Sequence, residues 1–549
     1  MRLRDITLQI KRQLDSWWVI SLIGAAFILL PILVVFSSIF EPPNNNWYQI
    51  KQYLVKDYLV QTALLIVLTA ILTIFLGVTL AWIVAIYDFP GKRFFRWALV
   101  MPLAVPPYIA AYTYSTMFSY TGIVQKTLRD LWGIVPDQQL ITLSSMRGAV
   151  MIFTLFLYPY VYLITRSFFE KQSASYIENA RLLGRKPFDI FFRIALPISR
   201  PAIVGGVFLV IFEVLNDYGV TSYFGLQTIS TAVFQTWFGM YDVDSAMRLA
   251  AWLMMIVVGL FLFESLLRKH RAYSSTTSKE KPLAPKQLTR FSGLGVFLIC
   301  LLVWLLSFAI PLGQLIVWAT QTFESIWKDE FLLLLYRTVY VAGLSTLLII
   351  LFSLIVATVS RSHSVFSSLL AKGVTAGYSI PGAIIAIGVL AICIQLDEGL
   401  APLYRQLGMT EAPLVLSMSL FMLISGYFIR YMATGYHAIE VGFEKVGTKY
   451  TEAARMLGMS RIKAFFKVDL SLIKGAVISG FILTFVEICK DLPLALLLRP
   501  FNFETLATKT YQYANNEQIY EASIPSLLII AISIISIYVL HYLERKWES

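Results

Sequence analysis

One segment of the chain occurs twice. Residues 176–217 and 450–491 match at a constant offset of 274 positions, with no gap. Both copies contain a Tyr-x-Glu-x-Ala-Arg-x-Leu-Gly motif, a Phe-Phe pair and, further on, two carboxylates four positions apart. The motif and the two carboxylates include Glu178, Ala180, Gly184, Glu213 and Asp217 in the first copy, and Glu452, Ala454, Gly458, Glu487 and Asp491 in the second. A repeat of this length predicts two homologous halves in one chain.

The composition is that of a membrane protein. Of the 549 residues, 58% are hydrophobic and only 14% are charged, whereas soluble domains carry about 25% charged residues. Apolar runs of about 18 residues or more can cross a hydrocarbon core of about 30 Å as helices. They predict an all-α polytopic membrane protein with about twelve transmembrane helices, as two parallel homologous six-helix units: 17–39, 60–86, 96–118, 147–165, 201–222, 247–267, 291–319, 333–359, 369–394, 412–434, 475–497 and 522–541.

The basic residues predict the orientation of the chain. If the N-terminus is cytoplasmic, 33 of the 45 Lys and Arg residues lie in segments that face inward. This bias follows the positive-inside rule and predicts a multi-pass protein of the bacterial inner membrane with both termini in the cytoplasm. The net charge of +12 is therefore explained by topology and by contact with membrane lipid, and nucleic-acid binding is not expected.

The repeated loop predicts a short surface helix in each half. Residues 176–183 and 450–457 are good helix formers, and Gly184 and Gly458 stop them. Each helix carries an apolar stripe beside charged residues. One interpretation is a membrane-surface helix that only connects two spans. Because two copies occupy matching places, a docking site for a partner with two-fold symmetry is favoured.

Four carboxylates lie inside predicted spans. Glu213 and Asp217, like Glu487 and Asp491, are four positions apart, so the sequence predicts that each pair lies on one face of its helix. A carboxylate facing lipid costs about 2.5–3.5 kcal/mol on insertion scales, so we expect all four to face the bundle interior around a common axis. They could form an acidic substrate pathway for a cation, or pair structurally with groups such as Lys490.

The sequence offers no firm metal or catalytic site. Its cysteines and histidines are scattered, without the spacing of a disulfide framework or a zinc site: Cys300, Cys393, Cys489, His270, His363, His437 and His541. No G-x-x-x-x-G-K-[ST] phosphate loop is found in the sequence either. We therefore expect no catalytic residue in this chain and assign no metal firmly.

The repeated loop resembles that of a known family. Glu-x-Ala, three residues and Gly, on a cytoplasmic loop before the penultimate span, is similar to the EAA motif of binding-protein-dependent ABC importer permeases. The matching residues are Glu178, Ala180, Gly184, Glu452, Ala454 and Gly458. The second copy departs from the family's usual Leu-Pro by having Ser471. In that family these helices couple to two copies of a cytoplasmic ABC ATPase, so the resemblance implies the type I ABC importer permease fold with two fused units.

The resemblance also implies what the chain does not do. It implies a transport subunit and not an enzyme, without a cofactor of its own, since ATP and magnesium belong to the separate ATPase. The expected division of the chain is an N-terminal segment, first span and outer loop, a first permease unit, a cytoplasmic linker, span seven and its outer loop, a second permease unit, and a cytoplasmic tail: 1–59, 60–267, 268–290, 291–332, 333–541 and 542–549.

Two short sequence motifs indicate a substrate class, by resemblance only. Glu-Val-Leu-Asn-Asp-Tyr-Gly at 213–219 and Lys-Asp-Leu-Pro-Leu at 490–494 look like ferric-iron importer permeases. That subgroup implies a periplasmic binding protein that delivers Fe(III) to the outer face, for which 223–246 and 498–521 are candidate docking surfaces. Alternating access then moves the substrate from periplasm to cytoplasm.

Two other functions stay open. Thiamine permeases share the fused twelve-span layout and carry a cation, so a permease of the same class for thiamine or another cation is the alternative. A remote alternative is a secondary, major-facilitator-like transporter, which also has twelve spans in two parallel repeats. The paired long cytoplasmic loops argue against it, because such a transporter needs no ATPase.

Overall fold

The computed structural model describes residues 16–171, 174–269, 286–361, 364–406, 414–417 and 419–548. The described chain is helical apart from two short strands, β1 (Tyr87–Asp88) and β2 (Lys286–Gln287), which pair in parallel with Tyr87 opposite Lys286. Most of the predicted linker 268–290 lies outside the described residues, and so does the predicted cytoplasmic segment before Ser16. The predicted all-α class is confirmed.

The α-helices of the first half are α1 (Ser16–Ser37), α2 (Asn45–Gln49), α3 (Val55–Ile86), α4 (Lys92–Ala98), α5 (Pro107–Phe118), α6 (Ile123–Trp132), α7 (Gln138–Ile141), α8 (Met146–Lys171), α9 (Ala174–Leu182), α10 (Pro187–Ile190), α11 (Leu196–Asn216), α12 (Gly219–Tyr223), α13 (Ile229–Phe234) and α14 (Val243–Lys269). Wider π-helical turns, at Ile50–Leu54, Phe191–Ala195 and Gln235–Gly239, join neighbouring helices, and a 3₁₀ turn forms at Met101–Ala104.

The α-helices of the second half are α15 (Arg290–Trp304), α16 (Ile310–Ile326), α17 (Asp329–Ser360), α18 (Val365–Thr375), α19 (Gly382–Gln406), α20 (Leu420–Val446), α21 (Lys449–Met456), α22 (Arg461–Ala464), α23 (Leu470–Leu472), α24 (Lys474–Lys490), α25 (Pro493–Leu498), α26 (Leu506–Asn515) and α27 (Ile519–Glu548). Its π-helical turns are Leu305–Ala309 and Phe465–Asp469, and its 3₁₀ turn is Ala376–Ser379.

The described residues contain nine helices long and apolar enough to cross a membrane, or eleven if two bent helix pairs each count as one span. The predicted span 412–434 falls on α20, which is not among them because Arg430 and several tyrosines lower its hydropathy. This helix packs between α17 and α24. Many of its side chains, among them Tyr427, Met432 and Tyr436, are buried, so it is largely an interior helix.

Four predicted spans are broken or end early. The spans predicted at 96–118 and 369–394 are interrupted by 3₁₀ turns before Pro107 and Pro381. Proline has no N–H and disfavours helical geometry in the residue before it, so a continuous helix fails there. The spans predicted at 201–222 and 475–497 end at Asn216 and Lys490. Both pairs of breaks lie at matching places in the two halves.

The two halves interlock. Helix α1 of the first half packs on α17, α18 and α19 of the second. The Phe352 ring lies in the space that a Cβ on Gly24 would occupy, and the Pro31 carbonyl oxygen lies 2.5 Å from the position of a Cβ on Gly388. In turn, α16 packs on α27 and against α5 of the first half. Buried apolar side chains from both halves form one continuous cluster, so the chain buries a single core.

Candidate functional site

A cavity of about 230 Å³ lies between the two halves. The four carboxylates singled out in the sequence all line it, together with two basic side chains and several tyrosines: Glu213, Asp217, Glu487, Asp491, Arg430, Lys490, Tyr108, Tyr160, Tyr378 and Tyr431. The residues come from matching elements of both halves, chiefly the ends of α11 and α24. The structure thus brings the two predicted pairs to one place, and their role in a substrate pathway stays a prediction.

The prediction that each carboxylate pair lies on one helical face is wrong. Asp217 and Asp491 are the first residues beyond α11 and α24, and both have an extended backbone. The physical reason is capping of the next short helix. Asp217 Oδ1 accepts a hydrogen bond from the Val220 N–H (2.8 Å), and Asp491 Oδ1 accepts one from the Leu494 N–H (3.0 Å). Such caps satisfy donors that a helix N-terminus leaves free.

Three of the four carboxylates have a partner in the protein. Besides its cap, Asp491 accepts a hydrogen bond from the Tyr431 hydroxyl (2.6 Å). Glu487 forms an ion pair with Lys490, one turn further along α24 (2.7 Å). Lys490 therefore pairs with Glu487 and not with the neighbouring Asp491. Among the described residues, no hydrogen-bond or ion-pair partner is found for the Glu213 carboxylate.

The sequence pointed to Lys490, but Arg430 and Asn216 of the cavity were not predicted from it. Arg430, from the interior helix α20, donates a hydrogen bond to the Ile380 carbonyl at the break before α19. Asn216 Oδ1 accepts a hydrogen bond from the Gly382 N–H (2.7 Å) and so joins the halves. A lone Arg within an apolar run was the available signal for Arg430. The cavity is thus lined by both signs of charge.

The arrangement is not a preformed metal centre. In the described part of the chain, no group of three or more His, Cys, Asp or Glu side chains is placed to hold one metal ion. Carboxylate oxygens still suit hard cations, but the cavity offers them spread around a space and not converging on a point.

The predicted coupling helices are formed in both halves. Helices α9 and α21 contain Glu178 and Glu452, and both end just before glycines in the left-handed region, Gly184 with φ 71° and Gly458 with φ 84°. Backbone hydrogen bonds close both turns, from Arg185 to Ala180 and from Met459 to Ala454. Since a Cβ is costly at these φ values, glycine sets the direction in which the chain leaves each helix.

Each coupling loop exposes large apolar side chains at matching positions. Leu182 and Leu183 are 85% and 80% exposed, and their counterparts Met456 and Leu457 are 90% and 82% exposed. Ala180 and Ala454 instead point into the protein and are buried. Apolar side chains this exposed, repeated in both halves, are typical of an interaction surface.

The two coupling helices are anchored differently. In the second half, Arg361 binds Asp469 (3.2 Å), the Gly447 carbonyl (2.6 Å) and the Thr451 hydroxyl (3.2 Å), which ties α21 to the end of α17. The first half has Tyr87 at the position of Arg361. Charged side chains of the first half pair elsewhere: Arg96 with Glu170 (2.7 Å), and Arg166 with the Arg96 carbonyl (2.6 Å) and Glu170 (3.7 Å).

The sequence matches the family described as "Binding-protein-dependent transport system inner membrane component" over residues 73–267 and 349–549. The chain belongs to this family. One match falls in each half, so the prediction of two permease units in one chain is confirmed. The chain is therefore a multi-pass inner-membrane component of a binding-protein-dependent importer. The finer division at 59, 290 and 332 stays a prediction.

Relatives of this permease carry several substrates. It is 24% identical to the Fe(3+)-transport system permease protein FbpB 2 of Haemophilus influenzae over 88% of this chain and 89% of that protein. It is 27% identical to a probable sulfate transport system permease protein of Chlorokybus atmophyticus over 37% of this chain and 70% of that protein. With the molybdenum permease ModB of Escherichia coli it shares 29% identity over 26% of this chain and 61% of that protein.

A solved structure also resembles part of the permease. The crystal structure of a bacterial alginate ABC transporter, in complex with an alginate-bound periplasmic protein, aligns with a TM-score of 0.37 and 15% identity. The alignment covers 47% of this chain and 95% of that chain.

Proposed function

We propose that this permease imports ferric iron from the periplasm to the cytoplasm. The observation that carries the proposal is similarity to a relative named for Fe(3+) transport across 88% of the chain, both halves included. The sulfate and molybdenum relatives above match only 37% and 26% of it. A cavity with four carboxylates supports the same proposal, because carboxylate oxygens are hard ligands that suit Fe(III).

We further propose that two copies of a cytoplasmic ABC ATPase dock on the coupling loops. The matching exposed pairs Leu182–Leu183 and Met456–Leu457 support this, since each loop presents large apolar side chains at equivalent positions. A partner that binds both loops alike would have two-fold symmetry, as an ATPase dimer has. ATP and magnesium would be bound by that partner, and this chain would supply neither catalytic residues nor a cofactor.

Opposite the coupling loops, a periplasmic binding protein would deliver the substrate. With both termini in the cytoplasm, the segments 223–246 and 498–521 face outward and are the proposed docking surfaces. In each half a Thr-x-x-Thr capping box stabilises this region, through Thr228 and Thr231 or Thr505 and Thr508. A rigid outer surface suits the docking of a folded protein.

Alternating access is the proposed mechanism. The cavity lies between the halves, and the Asn216–Gly382 hydrogen bond crosses from one half to the other. Closure of the ATPase dimer would draw the coupling helices together and open the cavity outward to the loaded binding protein. Hydrolysis of ATP would reset the halves and release the substrate inward.

ATPase stimulation tests the substrate assignment. The reconstituted permease–ATPase complex is mixed with binding proteins loaded with Fe(III), thiamine, sulfate or molybdate, and ATP hydrolysis is measured. The proposal predicts stimulation by the Fe(III)-loaded protein alone. Stimulation only by the thiamine-loaded protein would keep the importer class and move the substrate to that alternative. Stimulation only by a loaded oxyanion protein would contradict a cationic substrate.

A further inference from the structure

The cavity holds a basic residue in one half where the other half has an amide. Lys490 and Asn216 occupy the same position at the ends of α24 and α11. Asn216 accepts a backbone hydrogen bond from the other half, whereas Lys490 pairs with Glu487 at 2.7 Å. The two halves therefore differ in charge at this position, and the Lys490 ammonium is in direct contact with only one of the two equivalent glutamates.

Glu213 lines the same cavity at the position equivalent to Glu487. No hydrogen-bond or ion-pair partner for it is found in the described ranges, and Lys490 and Arg430 act on it only through longer-range electrostatics. The Tyr108 hydroxyl is a second unsatisfied group: the side chain is 5% exposed, lines the cavity and has no hydrogen-bond partner in the part of the chain that the structure describes. A buried polar group without a partner is costly, so an occupant that satisfies it is favoured.

We propose that Lys490 is a resident counter-cation whose ammonium an arriving cationic substrate displaces from Glu487. This inference rests on the proposed import of a cation and assigns the residue that sets its affinity. In the substrate-free cavity the ammonium neutralises Glu487. When a cation of higher charge enters, Glu487 and Glu213 bind it from opposite halves, and the flexible stem of Lys490 lets the ammonium move away.

In this proposal the displaced lysine weakens the binding of the substrate cation. A positive charge held within a few ångströms of the cation repels it strongly where the dielectric constant is low. Transport requires binding that is favourable enough to load the cavity and weak enough to release the substrate. The return of Lys490 to Glu487 then favours release of the substrate cation, because it re-forms the Lys490–Glu487 ion pair.

Terbium binding tests the assignment on the purified full chain in lipid nanodiscs. Tb³⁺ is a hard trivalent cation, and tyrosines near the bound ion sensitise its luminescence. Lys490→Gln should bind Tb³⁺ about tenfold more tightly than the natural chain, because the variant lacks the ammonium that repels the bound ion. Lys490→Arg keeps the charge and should bind as the natural chain does.

The chain offers a matched control pair outside the cavity. Lys509 pairs with Glu504 at 3.0 Å, so Lys509→Gln removes a similar ion pair and should leave the Tb³⁺ affinity unchanged. A Glu213→Gln, Glu487→Gln double variant gives the background from other sites. Thermal unfolding of each variant separates a change of affinity from a loss of fold.

The outcomes separate this proposal from the proposed function. Equal Tb³⁺ affinity of the natural chain and Lys490→Gln overturns the counter-cation role, even if ATP-driven iron uptake is intact. A lower melting temperature of Lys490→Gln without a gain in affinity also overturns it and makes the pair structural. Tighter Tb³⁺ binding by Lys490→Gln in a transporter that does not import iron would support the counter-cation for a different cationic substrate.

Discussion

The two halves of the permease have the same backbone turns at several matching positions, but they differ in their polar side chains. Both end a long helix at a carboxylate that caps the next short helix, and both end a coupling helix at a left-handed glycine. At the cavity, however, the second half places Arg430 and Lys490 where the first half has Phe156 and Asn216. The turns and the four cavity carboxylates are duplicated, whereas the basic side chains of the cavity come from the second half alone. The cavity therefore departs from two-fold symmetry in its positive charge.

The largest predicted difference between the halves is between the ion pairs Arg361–Asp469 and Arg96–Glu170. Arg361 and Asp469 are 14% and 3% exposed, whereas Arg96 and Glu170 are 48% and 24% exposed. Breaking a buried pair leaves a buried charge, so Arg361→Gln should cost about 3 kcal/mol of stability. Arg96→Gln should cost about 0.5 kcal/mol, because water screens its pair. Thermal unfolding in nanodiscs measures both.

One result would contradict the predicted difference between these two ion pairs. Equal loss of stability in Arg361→Gln and Arg96→Gln would mean that the two coupling helices are anchored equally well. An Arg361→Lys variant keeps the charge and loses the several directed hydrogen bonds, and it should fall between the natural chain and Arg361→Gln.

Substitutions at the coupling glycines should affect the halves alike. Gly184→Val and Gly458→Val each place a Cβ at positive φ, at a cost of about 1–2 kcal/mol. Neither glycine has a neighbour within 4 Å of the added Cβ, so the effect acts through the direction of the loop. We expect hydrolysis of ATP to continue while uptake falls. Gly133→Val, at a left-handed glycine outside these loops, is the control, and unchanged uptake in both coupling variants would refute docking at these loops.

The capping aspartates should differ by one hydrogen bond. Asp217→Ala removes a helix cap, with an expected cost of about 1 kcal/mol. Asp491→Ala removes the equivalent cap and also leaves the Tyr431 hydroxyl without its acceptor, which adds about 1 kcal/mol. Tyr431→Phe removes only the hydrogen bond to Asp491, so thermal unfolding should show a loss of about 1 kcal/mol in this variant. If both Ala variants lost the same stability, the Tyr431 hydrogen bond would contribute nothing.

The smallest predicted difference is at the start of the last helix in each half. Asn44 and Asn46 donate to Asp242, which caps α14 through Ser245, whereas Gln518 stands before α27. Burial raises the pKa of Asp242, but the hydrogen bonds from Ser245 and the two asparagines lower it by more, and the net pKa lies below the usual value.

A depressed carboxyl pKa stabilises the folded state above the unfolded-state pKa of about 3.9. That contribution is lost as the pH falls through the lower folded-state pKa. Asp242→Asn should therefore be less stable than the natural chain at pH 7, by less than about 1 kcal/mol, and the difference should shrink below about pH 4. Gln518→Glu is the comparison in the other half. A difference that does not change with pH would contradict the ionised cap.

Much of the fold was predictable because duplication and hydropathy act over long stretches. The gapless repeat placed Glu178 and Glu452 on equivalent loops, and both form the expected short helices. Hydropathy placed the long helices but not their breaks. The break at Asp217 depends on a side chain that captures the Val220 N–H, and such local competition is invisible to an average over eighteen or more residues.

The site was predictable in location but not in composition. The cost of burying charge in lipid indicated that Glu213 and Glu487 face inward, and both line the cavity. Their unequal pairing was not predictable, because it depends on which rotamer Lys490 adopts. The contribution of Arg430 depends on how α20 packs between α17 and α24. Contacts between segments so far apart in the chain follow from tertiary packing alone.

Uptake of radiolabelled Fe(III) into proteoliposomes tests the proposed function most directly. The vesicles contain this permease and its ATPase, with ATP sealed inside and the Fe(III)-loaded binding protein added outside. We predict accumulation of iron that requires ATP, the ATPase and the binding protein together. Iron uptake that continues without ATP or without the ATPase would contradict an ATP-driven importer, and no uptake with all components active would contradict iron as the substrate.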